Sequence, residues 1–437
     1  MSRILITGGA GYFGSVLATR AKAEGHHVRV FDLNAPADAS VEHVIGDVRD
    51  IDALRGASQD IDVVLHNVAQ VPLAKDRELF WSVNVVGTAN VLLAARDAGV
   101  SKVVHTSSSA IFGIPESNPV NEETAPKPLE AYGTAKLEAE FLCRDAVAAG
   151  LDVSIVRPRT VLGHGRLGIM AILFEFVADG SPIFVLGSGD NTYQFVHAED
   201  LADACLRAAL RPGPAVYNIG CRDFGTMRET LQSLVDHAAT GSKVVSLPSK
   251  PAQLAMKVLG QSSLVPFAPY HWLLYGESLW FDVSKAESEL DWQPTHSNAT
   301  AVIESYEWFL RNRQTLGGAG KSHHQSPAKL GLLKLVKKLP LLELGREKFL
   351  RVARCDGHDR RLGIDTRSVW QKGRVVHPQV VTTPDASEAV GSGRFTGFTH
   401  ANGGGEVHGH EVGSGACQCI PPLGQTGPIT YERAARD

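Results

Sequence analysis

Residues 3–14 read Arg-Ile-Leu-Ile-Thr-Gly-Gly-Ala-Gly-Tyr-Phe-Gly, and this string restricts the fold more than any other in the 437-residue chain. Residues 3–6 form a short aliphatic run, the mark of a buried strand. The glycines then turn the chain into a helix whose apolar positions Phe13, Val16, Leu17 and Ala21 recur at helical spacing. Gly8 permits a tight turn, Gly11 lets backbone approach a pyrophosphate, and Gly14 lets the helix close on the strand. Phosphates would rest on the helix N-terminus, where unpaired N–H groups and the helix dipole favour an anion. Taken alone, such glycines describe an ordinary turn. Here a second strand, His27-Val-Arg-Val-Phe-Asp32, follows the helix and completes the unit.

Asp32 closes that second strand, where an acid binds the adenosine ribose 2′-OH of a dinucleotide. Its carboxylate would repel a 2′-phosphate, and no Arg stands beside it in Leu33-Asn34, so NAD is expected over NADP. Asp47 and Val48 end the third strand and are expected beside the adenine. Asn67, Val68 and Ala69 end the fourth and are expected along the middle of the cofactor, with Tyr12 and Phe13 beside the glycines.

A second motif, Tyr132-Gly-Thr-Ala-Lys136, opens a later helix. A spacing of four puts phenol and ammonium on one helical face. A free phenol, with a pKa of about 10, is a poor base at neutral pH; a nearby cation stabilises the phenolate and lets it exchange a proton. The bland alternative is a half-buried Tyr with a solvated Lys. Upstream, Lys102-Val-Val-His-Thr-Ser-Ser-Ser109 runs a strand into hydroxyls that can hydrogen-bond a carbinol or carbonyl oxygen. Chemistry alone does not choose among the three serines, and hydroxyls at a strand end also satisfy local backbone.

With these motifs in this order, the chain resembles the extended short-chain dehydrogenase/reductase family, its NAD-dependent epimerase/dehydratase group. The resemblance covers about residues 3–312. It further includes Asp47, the segment Val83-Asn84-Val85-x-Gly87-Thr88-x-Asn90, Arg157-Pro158, Phe195-Val-His-x-Glu-Asp200 and Asp282-Val-Ser-Lys-Ala-x-x-Glu-Leu-Asp-Trp-Gln-Pro294. It implies Ser108 as the substrate-oxygen ligand, Tyr132 as acid/base, and Lys136 as ribose ligand and pKa modulator. It also implies Asn84 as a structural and relay residue, and Pro158 at the cofactor. The dehydratase branch carries an Asp-Glu pair where Ser107-Ser108 stands here.

Departures from that family bear on substrate. Thr160 stands where the nucleotide-sugar enzymes carry Asn, and Tyr193-Gln194 stands where they carry Arg-Asp. Tyr270–Phe281 lacks the Arg that commonly precedes the Asp-x-Ser-Lys-Ala segment. Fork-like Arg donors suit a diphosphate, so their loss points to an uncharged, lipophilic, ring-containing alcohol, as in the 3β-hydroxysteroid dehydrogenase-like branch. Arg159 alone could reach a phosphate from a new direction. The alternative is a nucleotide-sugar 4-epimerase, UDP-glucose 4-epimerase-like, with retained NAD. A non-catalytic dinucleotide sensor would have no need of the Tyr/Lys pair.

The expected fold is α/β, a doubly wound parallel sheet with a smaller C-terminal substrate lobe and a disordered tail. Residues 1–160 form the dinucleotide domain, with later segments returning to it; 161–313 form the lobe, including 215–310; 314–350 are linker and basic amphipathic segment; 351–437 are low-complexity. Leucines and lysines in 329–342 suit a peripheral contact with an anionic membrane or docking on the enzyme's own surface. The net charge of −4 argues against a nucleic-acid partner. A small-molecule substrate is expected, and a homodimer is left open. No run reads as a spanning helix or a cleaved leader. The six cysteines lack a disulfide pattern, which suits a reducing cytoplasm. No metal is expected: Cys417-Gln-Cys419 with His400, His408 and His410 matches no tight zinc module.

Overall fold

A computed structural model describes residues 1–70, 77–166, 168–261 and 274–315. The basic segment 329–342, the tail and Cys355, Cys417 and Cys419 lie outside the described residues. In chain order the strands are β1 (Arg3–Thr7), β2 (His27–Asp32), β3 (Glu42–Ile45), β4 (Val63–His66), β5 (Lys102–Thr106), β6 (Val153–Pro158), β7 (Thr160–Leu162), β8 (Ile183–Leu186), β9 (Phe195–His197), β10 (Ala215–Ile219) and β11 (Val244–Leu247). The helices are α1 (Tyr12–Ala23), α2 (Ile51–Ala57), α3 (Arg77–Trp81), α4 (Gly87–Asp97), α5 (Ala131–Ala148), α6 (Ile169–Ala178), α7 (Ala198–Leu210), α8 (Met227–Ala238) and α9 (Ser249–Gln261), followed by Ser284–Leu290 and Asn298–Asn312.

Seven strands form one parallel sheet in the order β10-β6-β5-β4-β1-β2-β3. Alternation along each strand divides its side chains between two layers. Ile4 and Ile6 of β1 pack with Leu17 and Ala21 of α1 and Leu201 and Cys205 of α7. Leu5, between them, packs on the other face with Leu54, Val91 and Cys143 from α2, α4 and α5. The strand order reverses between β1 and β4, and the crevice outside their carboxyl ends is where open α/β sheets take ligands. Cys143, Cys205 and Cys221 are buried free thiols.

Two expectations change. The sequence pattern places 215–310 in the lobe, whereas Ala215–Ile219 is the edge strand of the main sheet, paired in register with β6. Five residues between a helix and a loop carry no local sign of that partner, because the pairing reaches back some sixty residues. The helical run Glu78–Asp97 is also long and apolar enough by composition to cross a membrane; here half of it is buried, packed among α2 and α5. The lobe has its own core, in which Phe174, Leu231, Leu234, Tyr306 and Phe309 meet, and two parallel pairs, β7–β9 and β8–β11.

Two glycines of the opening motif are dictated by geometry. Gly8 has φ +74°, a left-handed conformation. At Gly14 an added Cβ would lie 2.0 Å from the Gly8 carbonyl oxygen, so α1 approaches the loop only without a side chain there.

Candidate active site

The loop from β1 to α1 lies under the end of β2. Asp32 Oδ2 accepts the Ala10 amide at 3.1 Å, and its Oδ1 accepts the Asn34 amide at 2.9 Å. The carboxylate is thus held beside the glycine turn at the strand end. Val68 backs the same turn: a Cβ on Gly8 would sit 3.0 Å from its amide nitrogen. Tyr12 is buried at the start of α1, its phenol pushed upward by burial, and Phe13 packs against the core beneath. Asp47 pairs with Arg49 through Nε at 2.9 Å, which holds its carboxyl below the usual range, and Val48 is buried next to it.

The end of β4 is clamped from a second element. Ser82–Val86 is one turn of π-helix between α3 and α4, and Asn84 within it is 1% exposed. Its Oδ1 accepts the Gln70 amide at 2.8 Å while its Nδ2 donates to the Gln70 carbonyl at 3.1 Å. Both backbone groups that follow Asn67-Val68-Ala69 are thereby satisfied. His66 bridges Thr7 and Thr88 at 2.7 and 3.0 Å, and burial lowers it to about 3, so it is a neutral brace.

The structure separates the three serines by their partners. Ser107 donates to Glu140 Oε1 at 2.6 Å, and the same carboxylate takes Arg157 Nε and Nη2 at 2.9 and 2.6 Å. Ser109 accepts Arg159 Nη1 at 2.8 Å. Ser108 Oγ accepts the Ala110 amide at 3.2 Å, and its hydroxyl is the one of the three that acts on the Tyr132 phenol. Glu130 caps α5 by accepting the amides of Tyr132 and Gly133, each at 2.7 Å, which fixes Tyr132 in the first turn. Lys136, one turn on, is 2% exposed and donates to the Thr106 carbonyl at 2.7 Å.

The electrostatics differ from the simple expectation. Lys136 is not among the groups acting on the phenol. Burial pushes Tyr132 up to about 12, Glu130 raises it further, and Ser108 and Arg166 lower it. Burial lowers Lys136 to about 8, against the pull of Cys143 and Glu140. The reason is where the ammonium points: toward Thr106, under the cleft. Sequence reasoning missed Arg166, in the turn after β7; its guanidinium lies 5.7 Å over the Tyr12 ring and acts on both phenols. No motif announces it, since it reaches the cleft through tertiary packing alone.

The substrate side also departs from expectation. Thr160 Oγ1 meets the Tyr193 hydroxyl at 2.8 Å. Gln194 is fully buried, donating to the Cys221 carbonyl at 2.7 Å and accepting the Phe281 amide at 2.9 Å, so its side-chain amide is spent on backbone. Pro158 ends β6 and is buried. Of the 270–281 stretch, 270–273 lie outside the described residues, and the Tyr275 hydroxyl donates to the Phe184 carbonyl.

A glycine cradle at a parallel-sheet switch point, with a half-buried Ser108 and Tyr132 side by side and a buried Lys one turn on, defines an NAD-dependent enzyme. The profile of the NAD dependent epimerase/dehydratase family matches residues 4–220. A UDP-glucose 4-epimerase from Mycolicibacterium smegmatis is 31% identical over 71% of this chain and 100% of its own length. The uncharacterized protein y4nG of Sinorhizobium fredii is 51% identical, over 76% of this chain and 85% of its own. The human sterol-4-alpha-carboxylate 3-dehydrogenase, decarboxylating, is 29% identical over 47% of this chain and 57% of its own. Among solved structures, MoeE5 in complex with UDP-glucose and NAD superposes with a TM-score of 0.59 at 25% identity, covering 71% of this chain and 99% of that one. The chain belongs to the NAD dependent epimerase/dehydratase family.

Proposed function

We propose that the protein interconverts a secondary alcohol and a ketone on a lipophilic, ring-containing substrate. The observation that carries the chemistry is the Ser108 hydroxyl beside the Tyr132 phenol, both half-buried, with Lys136 one turn along the same helix. Gly8, Gly11 and Gly14 would take the dinucleotide's phosphates, Asp32 its adenosine ribose, and Asn67 to Ala69 its middle; the side-chain-free cradle fits that group. When bound, NAD supplies the acceptor and donor of hydride. Ser108 holds the substrate oxygen, and Tyr132 takes its proton on oxidation and returns it on reduction. Arg166 supplies positive charge toward the phenolate, and Lys136 would hold the dinucleotide's ribose beside it.

The substrate assignment rests on the neutral wall formed by Thr160 and Tyr193. Arg159 stands behind that wall, 1% exposed, bonded to Ser109 and lying 4.8 Å over the Tyr193 ring and 5.7 Å over Phe281. A guanidinium so enclosed is not presented to a diphosphate. The second reading, a nucleotide-sugar 4-epimerase with retained NAD, is favoured by the full-length match to the Mycolicibacterium smegmatis protein. Counting NADH separates the two: a dehydrogenase releases one per product, and an epimerase releases none. Micromolar binding of a UDP-sugar with its interconversion, and no turnover of sterol-like alcohols, would reverse the order.

Two further outcomes are expected. Asp32 makes the protein prefer NAD, because a 2′-phosphate would meet an unneutralised carboxylate. Asp32→Ala narrows the ratio of kcat/KM for NAD over NADP; equal use of both by the wild type defeats the assignment.

Arg166 lowers the Tyr132 pKa, so Arg166→Met raises it. Oxidation uses the phenolate, which forms as pH rises, and its alkaline-going limb therefore moves to higher pH. Reduction uses the phenol and changes little on the neutral side. A pH–rate profile for oxidation that stays put removes Arg166 from the mechanism.

A further inference from the structure

Four side chains unused by the cleft meet where the start of α7 faces helix Asn298–Asn312. His197 ends β9 and caps α7, His296 precedes the last helix, Glu304 lies within it, and His164 stands in the turn after β7. Glu304 Oε2 is 3.6 Å from His296 Nε2, 3.7 Å from His197 Nε2 and 3.9 Å from His164 Nε2. These separations are too long for hydrogen bonds. Yet the ligating atoms of His197, His296 and Glu304 all lie within 4.8 Å of one another. Donors about 2.0–2.1 Å from a tetrahedral zinc stand about 3.4 Å apart, so this is a slightly open ligand shell.

Two independent observations point the same way. His296 Nδ1 meets Asp200 Oδ2 at 3.0 Å, and Asp200 is itself fixed by Thr295 at 2.7 Å. A carboxylate on the far nitrogen is the contact that orients a metal-bound imidazole and leaves Nε2 as the lone pair. His197 Nε2 is buried, on a side chain 2% exposed, and has no hydrogen-bond partner among the described residues.

We propose that His197, His296 and Glu304 bind a divalent transition metal of the zinc class, with His164 positioned to close the fourth place. Imidazole and carboxylate donors favour such ions over magnesium or calcium. Loading has two local consequences. The His197 and His296 rings, stacked at 3.8 Å between centroids, must fan apart. His197 must carry its proton on Nδ1, giving up the long 3.3 Å contact from the Glu199 amide. Side chains of His164 and Glu304 are 52% and 38% exposed, which leaves an entry path. The ion would tie α7, which packs on α1, to the last helix of the lobe.

The test uses the untagged full chain, stripped with chelator and titrated with Co(II) and then Zn(II). One equivalent of Co(II) gives visible d–d bands, zinc displaces them, and zinc raises the wild-type Tm. Glu304→Gln and His296→Ala each weaken binding at least tenfold and abolish the zinc-dependent rise. His164→Ala, at the exposed rim, weakens it less. Glu304→Gln also guards against misfolding, since its metal-free urea midpoint should match the wild type. Absence of Co(II) bands, or affinity unchanged in both Glu304→Gln and His296→Ala, overturns the site; the latter would place the ion elsewhere, as on the cysteines and histidines beyond residue 399.

Discussion

Replacing Tyr132 with Phe lowers turnover by about 10²–10⁴-fold, the range supplied by a positioned proton donor and acceptor, while NAD affinity stays close to wild type. The phenol oxygen is the atom lost; the ring remains edge-on to Phe80 at 6.4 Å between centroids, so the fold has no reason to respond. Steady-state kinetics paired with calorimetric titration of NAD checks both halves. More than a tenth of wild-type activity in the variant would sink the assignment of Tyr132 as the acid/base.

The second large effect is on stability. Arg157 and Glu140 are 1% and 0% exposed and joined by two hydrogen bonds. Glu140 also anchors Ser107, so this carboxylate sets which serine is left facing Tyr132. Arg157→Met strands a buried carboxylate, and removing one partner of such a pair costs about 3–5 kcal/mol. Urea unfolding followed by far-UV dichroism should show the midpoint fall steeply with little change in slope. A loss under about 1 kcal/mol would mean that water reaches Glu140.

The pair was visible in the sequence only as Arg157-Pro158, a motif read for its position. Its partner lies seventeen residues earlier on another element, and nothing in spacing links the two. The same limit separates what was legible from what was not. Gly8, Gly14 and Asp32 could be read because each answers to its own backbone: a positive φ, a close approach, a strand end. Six of the sheet's seven strands fall in residues 1–160, expected as the dinucleotide domain, but assigning Ala215–Ile219 to the sheet needs the register with β6. Gln194 looked like a substituted pocket residue and is instead a strut between Cys221 and Phe281. The choice of Ser108 among three serines came from resemblance; its physical reason is that Glu140 and Arg159 claim the neighbours. For Lys136, a spacing of four fixes the face of the helix and not the direction of a flexible ammonium, which here turns to Thr106.

The single π turn at Ser82–Val86 has a consequence for how this helix can change length. A π turn holds one residue more than the regular coil, and that extra residue keeps Asn84 aligned with Gln70. Deleting one residue would restore ordinary helical hydrogen bonding and would look benign to any count of local propensity. It would also swing everything beyond it by about 100° around the axis. Thr88 would leave His66, Asn90 would leave the Val48 carbonyl, and the end of β4 would lose its clasp. The less regular helix is the one that keeps the cofactor cleft in shape, so length variation in this segment is expected to come in whole turns or not at all.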